Sequence, residues 1–214
     1  MDDAIVATDD VRIYDTVVAF GGKAIMTGTH HKSGTDRVRE AYEKCDGEFD
    51  VIVNIQGDEP FIQPEQLQAI KACFDAPETQ IATLVKPFTP ADSLAALQNP
   101  NSPKVVVDDQ MRALYFSRSV IPYLRGVEPE NWLSQHTFYK HIGLYAYLPE
   151  VLKQITSLPQ SPLEKAESLE QLRWLQAGYR IQVGISNIET IGIDTPEDLQ
   201  RAEEFLKTTN YANK

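Results

Sequence analysis

Short apolar runs alternate with amphipathic segments along most of this chain. Four of the apolar runs lie at 4–8, 23–26, 51–55 and 81–85. Each is bounded by polar residues or by glycine, and runs of this length predict β-strands. The run at 51–55 is rich in β-branched residues, so it predicts a strand buried on both faces, as in a parallel sheet.

Local signals mark where the intervening helices begin and end. Asp9-Asp10 predicts the cap of a helix that ends before Gly21-Gly22, and Pro64 suits the first position of another helix. Residues 161–164, Ser-Pro-Leu-Glu, have the form of a capping box. The helix that they begin is predicted to continue to Gly178, because glycine commonly ends helices.

The middle of the chain contains a predicted hairpin. Residues 104–108 and 112–117 are alternating or apolar runs, and the short connection between them contains the polar pair Asp109-Gln110. Residues 118–138 are irregular and form either an arm that reaches a second subunit or a surface loop, and 139–147 is a further strand. The chain therefore predicts an α/β fold with three α/β/α layers and a mixed, mainly parallel sheet.

Composition narrows the class of protein. With 214 residues the chain predicts a single domain over 1–214, and its composition, 42% hydrophobic and 24% charged, is typical of a globular protein. A formal net charge of -11 disfavours binding to nucleic acid or to an anionic membrane. No apolar run is long enough for a membrane span and no export leader is recognisable, so the cytoplasm is the expected location.

The histidines and cysteines do not suggest a zinc site. Cys45 and Cys73 have no cysteine or histidine at metal-ligand spacing and are expected to be structural thiols. The adjacent pair His30-His31 has no third ligand nearby in sequence, so zinc is not expected there either.

Two aspartates follow apolar runs and precede helices. Asp58 comes after the run at 51–55, with Gln56 and Gly57 before it, and Asp194 comes after 191–193. Ligands bind in α/β proteins beyond the carboxyl ends of the strands, and Mg²⁺ commonly takes one or two carboxylates. If the two aspartates converge, they predict a magnesium site for phosphoryl or nucleotidyl transfer. Asp58 could instead lie in an ordinary acidic turn closed by Pro60, and Asp194 could be an ordinary helix entry.

A series of motifs in order resembles the CMP-Kdo synthetases, the 3-deoxy-manno-octulosonate (Kdo) cytidylyltransferases. These motifs lie at 6–9, 31–37, 54–60, 101–106, 115–118, 141–145, 161–164, 169–173 and 194–199. Each motif alone is weak, whereas the ordered series covers nearly the whole chain and is highly specific. The resemblance implies the nucleotide-diphospho-sugar transferase (Rossmann-like) type of fold.

The resemblance also implies a reaction and a set of site residues. The family activates Kdo with CTP to give CMP-Kdo and pyrophosphate, a step of lipopolysaccharide biosynthesis, with Mg²⁺ held by Asp58 and Asp194. The residues that would line the cytidine pocket are His31, Ser33, Gly34, Thr35, Arg37 and Gln56. Those that would surround Kdo are Arg118, His141, Tyr145, Glu170, Gln171 and Lys104. Arg118 suits the sugar carboxylate because guanidinium binds carboxylates in a bidentate manner.

The start of the chain departs from the family pattern. Members open with a strand and a loop containing Gly, Arg and Lys that grips the triphosphate, and Met1 falls within what resembles the second strand. Losing two charge-assisted contacts of about 1.5 to 3 kcal/mol each would weaken CTP binding by roughly 10² to 10⁴-fold. We therefore expect the chain as written to be poorly active.

Other readings of the sequence stay open at this point. The chain could be a cytidylyltransferase for another acidic sugar such as sialic acid, or a nucleotide-binding remnant without turnover. The resemblance further implies a homodimer, with 112–145 as the dimerisation and sugar-binding subregion.

Overall fold

The computed structural model describes residues 3–188, 193 and 196–208. The chain forms two compact units, and each is described by itself: unit 1 comprises 1–54 and 147–159, and unit 2 comprises 55–146 and 160–214. Whether the two units together form the single domain predicted over 1–214 stays a prediction. Among the described residues, no helix combines the length and the apolar character needed to cross a membrane.

Strands and helices alternate as the sequence predicts. In chain order the elements are β1 (Ile5–Thr8), α1 (Val11–Ala19), β2 (Lys23–Met26), α2 (Gly34–Lys44), β3 (Ile52–Asn54), α3 (Pro64–Ala72), β4 (Ile81–Pro87), α4 (Leu94–Gln98), β5 (Lys104–Val107), β6 (Ala113–Ser117), α5 (Trp132–Gln135), β7 (Tyr139–Tyr147), α6 (Pro149–Ile155), α7 (Pro162–Glu167), α8 (Gln171–Gln176), β8 (Ile181–Ile185) and α9 (Pro196–Thr208).

In unit 1, two strands and the helix between them form a parallel pair. β1 and β2 run parallel, from Ile5 opposite Lys23 to Thr8 opposite Met26. The Asp10 carboxylate caps α1 by accepting the Arg12 N–H at 2.8 Å, which confirms the predicted start of this helix. β3 is short and its apolar residues are only half-buried, so the prediction of burial on both faces is wrong there.

The strands of unit 2 form a mixed sheet. They are hydrogen-bonded in the order β6-β5-β7-β4-β8. β4 and β8 are parallel, whereas β5 is antiparallel to both β6 and β7. The predicted hairpin is therefore confirmed, and it is the reason that the sheet is mixed.

Close packing fixes α3 against this sheet. A Cβ atom at Gly184 of β8 would lie 2.8 Å from Leu84 Cδ2 and 3.0 Å from the Cys73 sulfur. The glycine therefore allows the end of α3 to approach the β4–β8 pair directly. Cys73 is buried in this contact, as expected for a structural thiol.

The irregular region 118–138 contributes to the core of its own chain. Trp132 is buried in a cluster with Phe88, Leu97 and Phe138, and its indole N–H donates to the Val127 carbonyl at 2.9 Å. This part of the region is thus neither a free arm nor a solvated loop.

The helix predicted from Ser161 to Gly178 is two helices. The capping box is present, with the Ser161 hydroxyl and the Glu164 carboxylate each accepting the other residue's N–H. Ser168 then takes a left-handed conformation, with φ of 51°, and ends α7. The chain turns there, and Glu170 becomes the N-cap residue of α8.

Candidate active site

The turn at Asp58 carries an exposed carboxylate. The Glu59 N–H donates to the Gln56 carbonyl at 3.1 Å, which closes the turn. The Ile193 N–H donates to the Asp58 carbonyl at 2.8 Å, so the backbone just before Asp194 in sequence lies against this turn. Asp194 itself lies outside the described residues.

The chemistry of this turn fits a hard divalent cation. The Asp58 side chain makes no hydrogen bond or ion pair with any residue that the structure describes, so its oxygens are not committed to a structural contact. A Cβ atom added at Gly57 would meet open space, so the backbone before the carboxylate is uncrowded. Exposed carboxylate oxygens in an open turn are suitable Mg²⁺ ligands, and Asp58 is therefore a fitting ligand.

Arg118, predicted to bind the sugar carboxylate, is anchored by backbone carbonyls. Its Nε donates to the Glu167 carbonyl at 2.6 Å, Nη1 to Pro100 at 2.9 Å and Nη2 to Ser168 at 3.2 Å. The Glu167 carboxylate in turn accepts the Arg118 backbone N–H at 2.9 Å and the Ser117 hydroxyl at 2.7 Å. The guanidinium is thus held in one place with three of its five N–H donors used.

Lys104, predicted as a sugar contact, is fully buried and bonded to backbone. Its ammonium group donates to the carbonyls of Asn99, Ser102 and Arg118 at 3.0, 2.8 and 2.7 Å. Burial lowers the pKa of Lys104 from its usual value. An ammonium has three N–H donors and all three are used here for backbone carbonyls, so Lys104 supports the backbone around Arg118, while its contact with the sugar stays a prediction.

His141 is held as a neutral ring. Its Nε2 lies 3.0 Å from the hydroxyl of Thr83, and that hydroxyl donates to the Leu144 carbonyl at 2.9 Å. A hydroxyl has one proton, so Thr83 accepts from His141 Nε2–H and leaves Nδ1 as the acceptor of the ring. Burial lowers the pKa of His141 to about 3, so the imidazole stays uncharged at neutral pH.

Aromatic rings fix the orientation of His141 and Tyr145. The His141 ring lies 5.3 Å from Phe116, edge to face, and 5.3 Å from Tyr145 between ring centroids. Tyr145 packs edge to face on Trp174 at 5.2 Å. The two predicted sugar contacts on β7 are therefore neighbours within one aromatic cluster.

Glu170 and Gln171 begin α8 beside a buried ion-pair network. Arg173 contacts Glu170 through Nη2 and lies 3.5 Å from Glu164 Oε2 through Nε. The side chains of Arg173 and Glu164 are each 9% exposed, whereas that of Glu170 is 24% exposed. The network positions Glu170 at the surface end, and Gln171 is buried directly after it.

In unit 1, the loop before α2 is well ordered by its own hydrogen bonds. The Ser33 hydroxyl caps α2 by accepting the Asp36 N–H at 3.2 Å, Gly34 is exposed and Thr35 is buried. Arg37 donates through Nη1 to the Thr27 hydroxyl at 2.6 Å and through Nη2 to the Asp9 carboxylate at 2.9 Å.

His31, the first predicted contact of this loop, is bonded within unit 1. Its Nε2 contacts the carboxylate of Glu40 on α2. The loop therefore presents a fixed shape with Ser33 and Gly34 at its accessible edge. Gln56, the remaining residue predicted for cytidine, is half-buried in unit 2.

Three supporting residues are not evident from the sequence. Thr83 orients His141, Glu167 orients Arg118, and Arg173 orients Glu170. A threonine within the otherwise apolar run at 81–85 is a usable signal, since a buried hydroxyl needs a partner. The pairing of Glu167 with Arg118 spans 49 positions and has no local signal.

Comparison with known proteins defines the class. Residues 1–185 match the model of a protein family described as cytidylyltransferase. A solved structure described as HddC from Yersinia pseudotuberculosis complexed with GMP-PN is 13% identical and superposes with a TM-score of 0.60, covering 94% of this chain and 77% of that one. That likeness shows the fold alone, and the nucleotidyltransferase class follows from the fold and the family match together.

Closer relatives specify the family. The 3-deoxy-manno-octulosonate cytidylyltransferase of Phocaeicola vulgatus is 70% identical over 207 residues, which make up 97% of this chain and 82% of the relative. A solved structure described as CMP:2-keto-3-deoxy-manno-octonic acid synthetase complexed with CTP is 41% identical, with a TM-score of 0.86 over 97% of this chain and 82% of that one. The chain belongs to the 3-deoxy-manno-octulosonate cytidylyltransferase family, and the resemblance stated from its motifs is confirmed, as is the α/β fold of nucleotide-sugar transferase type.

Proposed function

We propose that this chain transfers the CMP group of CTP to Kdo and releases pyrophosphate. The observation that carries the proposal is the 70% identity to a 3-deoxy-manno-octulosonate cytidylyltransferase across 97% of the chain. The compared 207 residues make up nearly the whole chain, so the proposal does not depend on any single motif.

The reaction forms one bond and breaks one. An oxygen on the anomeric carbon of Kdo attacks the α-phosphorus of CTP, the bond from that phosphorus to the β-phosphate bridging oxygen breaks, and pyrophosphate leaves. The proton of the attacking hydroxyl passes to solvent. Magnesium held by Asp58 and Asp194 would neutralise charge on the α-phosphate. The residues of the chain supply position and electrostatics, and no covalent enzyme intermediate is needed.

Unit 2 offers a prearranged set of groups for the sugar. The proton-free Nδ1 of His141 suits a sugar hydroxyl as a hydrogen-bond acceptor, and the anchored guanidinium of Arg118 retains two N–H donors for the sugar carboxylate. Glu170 and Gln171 suit further hydroxyls. Thr83 holds His141 and Arg173 holds Glu170, so these two side chains are in place before a ligand arrives.

For the cytosine base we propose the loop of unit 1 before α2. Its hydrogen bonds fix Ser33 and Arg37, Thr35 is buried, and a fixed polar loop can select a base by hydrogen bonding with little entropic cost. In unit 2, Gln56 carries an amide that can donate and accept hydrogen bonds, and its contact with cytidine stays a prediction from the resemblance. The binding of CTP as such is suggested by the solved relative described as complexed with CTP.

A substrate panel tests the proposed function. Pyrophosphate release is measured with CTP, UTP or ATP as the nucleotide and with Kdo or sialic acid as the acceptor, in the presence of Mg²⁺. Release with CTP and Kdo, and much slower release in the other combinations, is expected. Comparable rates with sialic acid would show that the chain does not select Kdo. CTP binding detected by calorimetry without any release of pyrophosphate would indicate a non-catalytic binding protein.

The setting of the reaction is also a proposal. Since CMP-Kdo is the product, we place the chain in lipopolysaccharide biosynthesis, in the cytoplasm, as a homodimer formed through 112–145. Part of this region, Trp132 and Phe138, is used by the chain's own core, which leaves its exposed side chains such as Tyr123 for a partner. Sedimentation velocity measures the mass directly, and a monomer across the tested concentrations would contradict the dimer.

A further inference from the structure

The loop before α2 brings together three side chains that commonly bind metals. One ligand atom each from His30, His31 and Glu40 lies within 4.8 Å of the other two. The sequence suggested that the histidine pair lacked a third ligand. Glu40 is nine positions from His31, on α2, and the turn of the chain into that helix returns its carboxylate to the loop.

The Glu40 carboxylate is fixed by hydrogen bonds before any metal binds. The Gly28 N–H donates to both of its oxygens, at 3.1 and 3.0 Å. Lys44, followed by the Gly28 N–H and His31, lowers the pKa of Glu40 to about 2. These contacts hold both carboxylate oxygens beside the loop, in position to act as ligands.

The two imidazoles are arranged around this carboxylate. His31 contacts Glu40 through Nε2, and the His30 ring centroid lies 4.5 Å from that of His31. A Cβ atom at Gly28 would lie only 2.4 Å from ring atoms of His30, so the absence of a side chain there makes room for the ring. His30 is exposed, which gives an ion access from solvent.

We propose that His30, His31 and Glu40 bind one divalent transition metal ion of the zinc type. Two imidazole nitrogens and one carboxylate oxygen suit zinc, and three protein ligands leave a fourth position for water. On binding, the hydrogen bond between His31 and Glu40 would be replaced by a bond from each of the two groups to the ion. Mg²⁺ prefers oxygen ligands, so this site is distinct in its chemistry from the magnesium ligands proposed at Asp58.

Lys44 allows a test in which a substitution should strengthen metal binding. Its ammonium lies 2.6 Å from Glu40 Oε1 and also donates to the Met26 carbonyl at 2.8 Å. A cation at this position repels a metal ion and competes for the carboxylate. Replacing Lys44 with methionine should therefore strengthen metal binding, although it removes contacts from the protein.

The experiment measures zinc affinity by competition with a chromophoric chelator, in the presence of excess Mg²⁺. The unaltered chain is expected to retain one equivalent of zinc. His30→Ala and Glu40→Gln should each weaken binding at least tenfold, and Lys44→Met should strengthen it severalfold. The matched controls, His136→Ala for an exposed histidine and Glu43→Gln for a neighbouring acid on α2, should leave the affinity unchanged.

Cobalt gives a second readout that needs no variant. Co²⁺ bound by two imidazoles, a carboxylate and water should show the intense visible absorption bands of a tetrahedral site, and zinc should abolish them. Absence of these bands, zinc that dialyses away, or unchanged affinity in both His30→Ala and Glu40→Gln would overturn the proposal. None of these measurements involves CTP or Kdo, so their failure leaves the proposed function unaffected.

Discussion

In unit 2, the charged groups of Lys104 and Arg118 are bonded within the protein, whereas that of Asp58 is exposed. The cations Lys104 and Arg118 direct their donors at backbone carbonyls, and Lys104 is completely buried. Asp58 is exposed and makes no side-chain hydrogen bond or ion pair within the part of the chain that the structure describes. The cations thus build a framework, whereas the acid is left for an external charge.

The difference separates contacts that shape the site, among them three of the five N–H donors of Arg118, from groups that are left for a ligand. Lys104 joins the 99–102 turn to the backbone of Arg118, and Glu167 joins Arg118 to α7. Changes in this framework should affect folding first. A change at Asp58 should affect catalysis and leave folding intact, and the following variants test this division from the largest expected effect to the smallest.

Asp58→Asn should separate activity from stability most clearly. Removing the charge expected to hold Mg²⁺ should lower kcat by about 10² to 10³-fold, as loss of one electrostatic contact to the transition state does. The free energy of unfolding should change by less than about 0.5 kcal/mol, because no contact is lost. Pyrophosphate release and urea unfolding measure the two quantities. Asp109→Asn, in the exposed hairpin turn, is the control, and substantial unfolding of Asp58→Asn would abolish the division.

Lys104→Met should show the reverse behaviour. Methionine fills the same space but leaves three carbonyls in part-buried contacts without their donors, at a cost of about 3 kcal/mol in the free energy of unfolding. Urea unfolding measures this loss, with the exposed Lys165→Met as a control. A stable variant with a strongly raised KM for Kdo would instead support the predicted contact between Lys104 and the sugar.

His141 tests whether the neutral part of the framework depends on pH. The folded protein holds this ring uncharged, with its pKa lowered to about 3 from 6.5. The unfolded chain takes up a proton as pH falls below 6.5, so stability is full above that pH and is lost as pH falls toward 3. From about pH 7 to about pH 5 the wild type should lose roughly 2 kcal/mol more than His141→Gln. His136→Gln should keep the wild-type pH dependence, and equal slopes in all three proteins would contradict burial of a neutral ring.

Thr83→Val should have the smallest effect on stability and a specific effect on His141. Losing the hydroxyl should cost about 1 kcal/mol. It also removes the acceptor that selects the Nε2–H tautomer, so nitrogen NMR of the imidazole should change from one tautomer to a mixture. Thr83→Ser keeps the hydroxyl and should restore the single tautomer. An unchanged tautomer in Thr83→Val would show that another group sets it.

Local signals in the sequence predicted the elements well, and long-range contacts account for what it missed. Asp10, Pro64 and the Ser161 capping box mark helix starts that the structure confirms, because each acts within four residues of its own position. The break at Ser168 has no glycine to announce it. The break is made by the left-handed conformation of Ser168 itself, which is uncommon for a residue other than glycine.

Site chemistry divides in the same manner. Asp58 is identifiable because it follows a strand-like run, and its open environment agrees with that interpretation. The burial of Lys104 is set by carbonyls up to 14 positions away, and the contact of His31 with Glu40 depends on the path of α2. Neither distance is readable from residue spacing.

The tight seating of α3 on β8 has a chemical consequence for any study of this chain with heavy metals or thiol reagents. Packed beside Gly184, Cys73 has its pKa raised to about 11 by burial. Only the thiolate reacts with alkylating agents or coordinates soft ions, so this sulfur is silent at neutral pH. Thiol labelling at neutral pH would therefore report first on Cys45, which is only half-buried.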